Sequence, residues 1–301
     1  MVIAGPGRVW SQRQLAPLTS FGIGGPAEWL VEPTGLDSIR RLVECVRDAA
    51  APMTVIGGGS NLLVADEGVS GIVVRLSQGG CERIARDLVR ADAGLSINGL
   101  VRWCVRHGIA GLEHWAGTPG CVGGAVWGNA HFRGRTIDER VVAVKLLSRE
   151  GQLVDVRRDE LEFAYDASRL QRTGEMLLSA DFRVSDGVPA QLRARARDSL
   201  LFRKRTQPLA LRSAGCIFRN PDPTTVPAGF PASAGALVDR AGMKGCSIGG
   251  ARVSQVHANF IVNEGGARAT EVAILIEACR SAVLDQFGIT LEEEIVRVGE
   301  F

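Results

Sequence analysis

Several residue types that carry chemistry are scarce in this chain, which has one tyrosine and four histidines in 301 residues. Neither charge is in excess, with 35 lysines and arginines against 33 aspartates and glutamates. That balance removes any general field for nucleic acid or an anionic membrane, so small-molecule partners are expected. Histidines 107, 114, 131 and 257 show no H-x-x-x-H or mixed Cys/His spacing, and no metal is assigned. The seven cysteines are odd in number and contain no C-x-x-C pair, which argues against a disulfide framework or a zinc site and for a reducing cytoplasm. No apolar run approaches the ~18 residues of a membrane span. The opening "MVIAGPGRVWSQRQ" has no basic stretch before an apolar core, so an unexported protein is expected.

Glycine, by contrast, is plentiful, and it is concentrated. In "VIGGGSNLLV" (55–64), Gly57, Gly58 and Gly59 follow the strand-like "MTVI" and precede further β-branched sequence. A Rossmann fingerprint requires G-x-G-x-x-G opening a helix, and Leu62 breaks it. Two readings stand: a plain tight turn, or a backbone anion nest with no helix dipole behind it. The stretch "GLEHWAGTPGCVGGAVWGNA" (111–130) is expected to be a loop whose backbone closely approaches a ligand.

Periodicity supplies the frame. Helices are expected from Asp37 as N-cap, from Ser96 as N-cap to Gly108, from about 190 to Pro208, around "GALVDRAG", and from Thr270 to Gly288. Strands are expected at "VVAVKLLS", "QLVDVRR", "MLLSADFRV" and "NFIVN". The linker-like "SDGVPA" suggests two domains, cut near 187, from a length that suits about two domains of ~150 residues.

Four features could carry chemistry. Cys216 in "SAGCIFRNP" follows a glycine and precedes a strand-like pair, although free cysteines are mostly buried hydrophobes. In the tail "LEEEIVRVGEF", strand alternation puts Glu292 and Glu294 on the face of Val296 and Val298, so one carboxylate is expected inward. The alternative is a charged edge that discourages aggregation. The basic run Arg193, Arg195, Arg197, Arg203, Lys204 and Arg205 reads as a solvated surface or a local diphosphate patch. His257 and Asn259 read as satisfied core groups rather than catalysts.

Taken in order, "LTSFGIGGPAEWLVEP", "VIGGGSNLLV", "GTPGCVGGAVWGNA", "FAYDAS", "RKRTQPL", "SAGCIFRNP", "AGMKGCSIGGARVSQVHANFIVN" and "LEEEIVRVG" resemble the UDP-N-acetylenolpyruvoylglucosamine reductases over almost the full chain. The resemblance implies an α+β architecture: an FAD-binding fold of the vanillyl-alcohol oxidase type over 1–187, with two α+β subdomains split near 76, then an α+β substrate-binding domain over 188–301. It implies noncovalent FAD held at Gly57, Gly58, Gly59, Ser60 and Asn61 and lined by Gly117, Thr118, Pro119, Gly120, Gly123 and Gly124. NADPH would be the reductant. Cys216 would be the proton donor, a better acid than the serine many members carry there, and Glu294 would assist it. Tyr165, Lys204, Arg205, Gln207 and Asn220 would meet the UDP-sugar. A cytoplasmic monomer acting in peptidoglycan precursor synthesis is expected.

The sequence departs from that pattern at one place. The family motif Y-R-x-S supplies an arginine to the developing enolate, and here "YDAS" puts Asp166 in its place. A carboxylate facing the substrate would oppose the chemistry. Arg169 is the expected substitute, with Arg133 or Arg135 in "NAHFRGR" as alternatives. The short 171–180 segment resembles the branch lacking an inserted tyrosine-bearing loop. The competing readings are another flavin oxidoreductase of the superfamily, or a noncatalytic flavin or nucleotide-sugar binding paralogue.

Overall fold

Amphipathic stretches and β-branched runs become helices and strands close to where their patterns place them. The computed structural model describes residues 7–226 and 229–301. The first six residues, on which part of the export reading rests, lie outside the described residues. The chain forms two compact units, each assembled from three stretches of sequence. One takes the chain up to Ser11, then Trp29–Gly58 and Gly71–Phe202; the other takes Gln12–Glu28, Gly59–Ser70 and Arg203–Phe301. A single boundary near 187 does not describe these units, because residues 188–202 stay with the first and two earlier stretches belong to the second.

One four-stranded sheet has the order Gly7–Gln14, Pro26–Pro33, Val69–Arg75, Met53–Ile56, the last two parallel. A five-stranded antiparallel sheet follows, ordered Leu153–Arg157, Val141–Leu147, Met176–Arg183, Leu88–Asp92, Cys81–Ala85. Helix α1 (Leu36–Asp48) buries Leu42, Val43 and Val46 in one core with Val31, Ile72 and Val74 of the first sheet and Leu147 and Met176 of the second. It starts two residues earlier than expected: Gly35 is the N-cap and Asp37 sits in the first turn, where its charge favours the helix dipole. Helix α2 (Ile97–Arg106) keeps its expected ends, with Ser96 Oγ accepting from the Gly99 amide at 3.0 Å and Gly108 at φ +68°.

The stretch 111–130 is not all loop. It contains a single turn at Glu113–Trp115 and helix α3 (Val122–Trp127). Val122, Ala125 and Val126 recur at helical spacing and are buried, and that burial offsets the ~1 kcal/mol each that Gly123 and Gly124 cost a helix. A short α4 (Leu170–Thr173) precedes the strand Met176–Arg183, and α5 (Pro189–Thr206) ends just before Pro208.

In the second unit, α6 (Ala234–Arg240) and α7 (Ala269–Phe287) share a core with Phe21, Leu63, Ile217 and Phe218 and with the meander Ser247–Ile248, Ala251–Val253, Ile261–Asn263. Asp66 caps α7, accepting from the amides of Ala269 at 2.8 Å and Thr270 at 3.0 Å. Leu62–Val64 pairs in parallel with Val296–Val298. The tail is a strand only over those last three residues. The alternation expected from Glu292 onward therefore does not operate: Glu292 is exposed, and Ile295 rather than Val296 is buried.

Candidate functional site

In the first unit two glycine loops meet backbone to backbone. A Cβ on Gly58 would lie 2.7 Å from Gly120 Cα, and one on Gly57 would lie 2.3 Å from Cys121 Sγ. These glycines are dictated as much by the neighbouring loop as by any ligand. In the second unit Gly59, at φ +62°, would drive a Cβ to 2.2 Å from the Leu18 carbonyl oxygen. Among the described residues, the amides of Gly57, Gly58, Gly59, Ser60 and Asn61 donate to no protein acceptor. Amides left this way are suited to an anion such as a diphosphate, and on this count the residues fit FAD.

The second loop is shaped by Asn98, which the sequence reading passed over. Its Oδ1 accepts from the Gly117 amide at 2.7 Å, and its Nδ2 donates to the Thr118 carbonyl at 3.0 Å. Gly120 and Gly123 are fixed by Ile97 N–H donating to the Gly120 carbonyl and Gly123 N–H donating to that of Ala93. Nothing but Cys121 Sγ, at 4.0 Å, lies near a Cβ on Gly124, so that face of the loop is open.

The second unit brings Cys216 and Glu294 onto one piece of backbone. The Glu294 amide donates to the Ile217 carbonyl at 2.7 Å, and the Arg219 amide donates to that of Glu292 at 2.9 Å. Asn259, 3% exposed, braces the other side: it accepts from Phe218 N–H at 2.9 Å through Oδ1 and donates to the Phe218 carbonyl at 2.7 Å, while its own carbonyl takes the Ile217 amide. Asn61, expected at the cofactor, uses its side-chain amide on the Glu294 carbonyl at 2.9 Å, and its own carbonyl accepts from Val296. Glu294 is thus positioned by hydrogen bonds to its backbone rather than by strand alternation. Asn259 is satisfied, as expected, but it also braces Ile217 and Phe218, the two residues after Cys216.

Arg203 was read as one of a surface run, yet it is 5% exposed, while Lys204 and Arg205 face solvent. Burial pulls its guanidinium down to about 10, and the charge of Cys216 acts in the opposite direction. Only the period of α5 could have signalled it, because Leu192, Ser199 and Arg203 fall on the buried face. Gln207 Oε1 lies 3.4 Å from Arg203, and Asn220 Oδ1 accepts from the Ala234 amide at 3.0 Å.

Arg169 does not take the place of the missing arginine. Its Nε and Nη2 grip Glu175 at 3.2 and 2.9 Å, and its Nη1 donates to the Glu160 carbonyl. A guanidinium with both edges engaged inside the fold is a structural clamp. Arg133 lies 4.5 Å over the Phe202 ring, and Arg135 is exposed. What meets Asp166 is His131, whose Nδ1 is 2.8 Å from Oδ1, and the exposed Tyr165 ring lies 5.1 Å from the imidazole.

Residues 27–157 match the family model described as an FAD binding domain, and residues 207–298 match the C-terminal domain of UDP-N-acetylenolpyruvoylglucosamine reductase. The reductase of that name from Synechococcus sp. (strain WH7803) is 39% identical over 95% of this chain and 91% of its own. Its Bacillus velezensis counterpart is 38% identical over 97% and 95%. The crystal structure of the Thermus caldophilus enzyme superposes with a TM-score of 0.79 at 33% identity, covering 97% of this chain and 99% of that one. The α+β class and the FAD-binding fold expected from the motifs are therefore those of the chain. At 38–39% identity to these relatives over nearly the full length of both chains, the chain belongs to the UDP-N-acetylenolpyruvoylglucosamine reductase family.

Proposed function

We propose that the chain reduces UDP-N-acetylenolpyruvoylglucosamine to UDP-N-acetylmuramate, with NADPH as reductant and FAD as cofactor, in peptidoglycan precursor synthesis. The observation that supports this reading is the hydrogen bond from the Glu294 amide to the carbonyl of Ile217, the residue after Cys216. Gly57 to Asn61 and Gly117 to Gly124 hold FAD noncovalently. FAD held there would supply hydride chemistry, taking a hydride equivalent from NADPH and passing one to C3 of the enolpyruvyl ether.

Negative charge then grows at C2, beside the substrate carboxylate. Cys216 gives that carbon its proton from Sγ, and Arg203 stabilises the sulfur charge left behind. Glu294 assists the protonation and orients the enolpyruvyl group, its backbone pinned by Ile217 and Asn61. Lys204, Arg205 and Gln207, at the end of α5, meet the UDP moiety, and Asn220 and Tyr165 complete the sugar contacts.

No helix among the described residues is long and apolar enough to cross a membrane; a cytoplasmic monomer is part of the proposal. Asp166 favours a second reading, a noncatalytic binder of flavin and nucleotide sugar, because an unsupported carboxylate would oppose the developing charge. Steady-state NADPH oxidation that depends on the enolpyruvyl substrate supports the first reading. NADPH oxidation that is the same with and without it supports the second.

A further inference from the structure

The tail that carries Glu294 is tied to α7 by a compact ion-pair network, all of it within the second unit. Arg280, on α7, donates from Nε to the Leu291 carbonyl at 3.0 Å and from Nη2 to Glu293 Oε1 at 2.8 Å, while its Nη1 holds both oxygens of Glu277 at 2.5 Å. Arg297 takes the same Glu293 carboxylate in a fork, Nε to Oε2 at 2.9 Å and Nη2 to Oε1 at 2.8 Å. Its Nη2 also lies 3.4 Å from Glu277. Two cations and two carboxylates thus cancel in charge, and the planar guanidinium of Arg280 joins helix to tail through bonds of fixed direction.

Stability alone does not account for this arrangement. The Glu293, Arg280 and Arg297 side chains are only 18%, 25% and 29% exposed. Ions taken out of water to that extent lose solvation that offsets much of their attraction, and apolar contacts of similar volume often hold a fold as firmly. What the charged forks add is orientation. Burial alone would raise the Glu293 carboxyl, but the hydrogen bonds and charges of Arg297 and Arg280 hold it below its ordinary value, so the forks are intact at neutral pH.

The forks close around Glu294. Glu293 pairs with Phe218 in an isolated bridge, flanked by the Glu294 amide on the Ile217 carbonyl and the Arg219 amide on that of Glu292. The Arg297–Glu293 fork spans Glu294, the buried Ile295, and Val296, whose amide donates to the Asn61 carbonyl. We propose that Arg280 and Arg297, acting through Glu293, are positioning residues that fix the backbone from which Glu294 works, and so govern the rate of flavin reoxidation rather than substrate affinity. Neither arginine meets the substrate in this role. The inference rests on the reading above, in which Glu294 assists protonation, and the test separates the two.

Flavin reduction by NADPH and flavin reoxidation by UDP-N-acetylenolpyruvoylglucosamine are followed separately in the holoenzyme. The variants are Arg280→Gln, Arg280→Lys, Glu293→Gln, Glu294→Gln, and a chain carrying both Arg280→Gln and Glu294→Gln. Glu293→Gln keeps the shape of its side chain, and Arg280→Lys keeps the charge without the fork. All should reduce their flavin at the native rate. Arg280→Gln and Glu293→Gln should each slow reoxidation about 10-fold, within the ~10²-fold that a misplaced group can cost, with KM for the sugar nucleotide unchanged. Arg280→Lys should recover part of that loss. In the Glu294→Gln background, Arg280→Gln should cost nothing further, because its effect passes through Glu294. Asp66→Ala, which loosens the other end of α7, is the control: less stable to urea, with native reoxidation. Native-rate reoxidation in Arg280→Gln or in Glu293→Gln, or an equal further loss in the double variant, overturns the proposal. Native protein that never reoxidises overturns the reductase reading, native-rate reoxidation in Glu294→Gln overturns the role of Glu294, and this inference falls with either.

Discussion

Cys216 and Arg169 show how differently two residues named from the same sequence fare once their surroundings are known. Cys216 interacts electrostatically with Arg203, and the residue after it accepts from the Glu294 amide, which suits the proposed role of acid catalyst. Cys216→Ala should leave flavin reduction by NADPH intact and slow reoxidation by the enolpyruvyl substrate at least ~10²-fold; rapid-mixing traces of the two half-reactions check this. Arg169→Ala should do the reverse. Loss of the clamp on Glu175 leaves a part-buried carboxylate unpaired, costing about 1–3 kcal/mol in urea unfolding, with reoxidation by the folded protein unchanged. Cys216 was legible as a candidate because it sits in a recognisable motif, "SAGCIFRNP". His131 was not: its partner lies 35 positions away, and only the turn that buries Asp166 reveals the pair.

At the level of elements, what was read correctly was local. The Ser96 cap, the glycine stop of α2 and the buried stripe of α7 follow from spacing alone. Errors arose where distant contacts override local pattern. Helix α3 forms despite its glycines because three apolar residues are buried in the first unit's core, and the tail is held by Ile217 and Asn61 rather than by a ladder over its whole length. Gly58→Ala should push against the Gly120 backbone and lower FAD retention, read as the ratio of flavin to protein absorbance after gel filtration. The α7 cap has a pH signature. Burial alone would raise the Asp66 carboxyl, but the Thr270 and Ala269 amides, the Thr270 hydroxyl and Arg268 together hold it below its ordinary value. Its folded pKa is therefore depressed, so its contribution is present above the unfolded value of ~3.9 and is lost as pH falls through the folded one. Asp66→Ala should cost about 1 kcal/mol at neutral pH, with the difference from the native protein shrinking in acid.

Across the whole molecule, each unit draws on separated stretches of sequence, so a boundary placed at the linker-like "SDGVPA" could not recover them. The family and the cofactor were nonetheless legible, because eight short motifs in a fixed order constrain more than any one of them. At Asp166 the chain departs from the family motif, and there the sequence gives no sign of His131, whose Nδ1 lies 2.8 Å from the carboxylate. The most direct test of the central claim is to reduce the holoenzyme anaerobically with NADPH, mix it rapidly with UDP-N-acetylenolpyruvoylglucosamine, and follow the flavin absorbance. The account predicts rapid, stoichiometric reoxidation with formation of UDP-N-acetylmuramate. A flavin that stays reduced while the sugar nucleotide binds would contradict it and identify the chain as a binding protein.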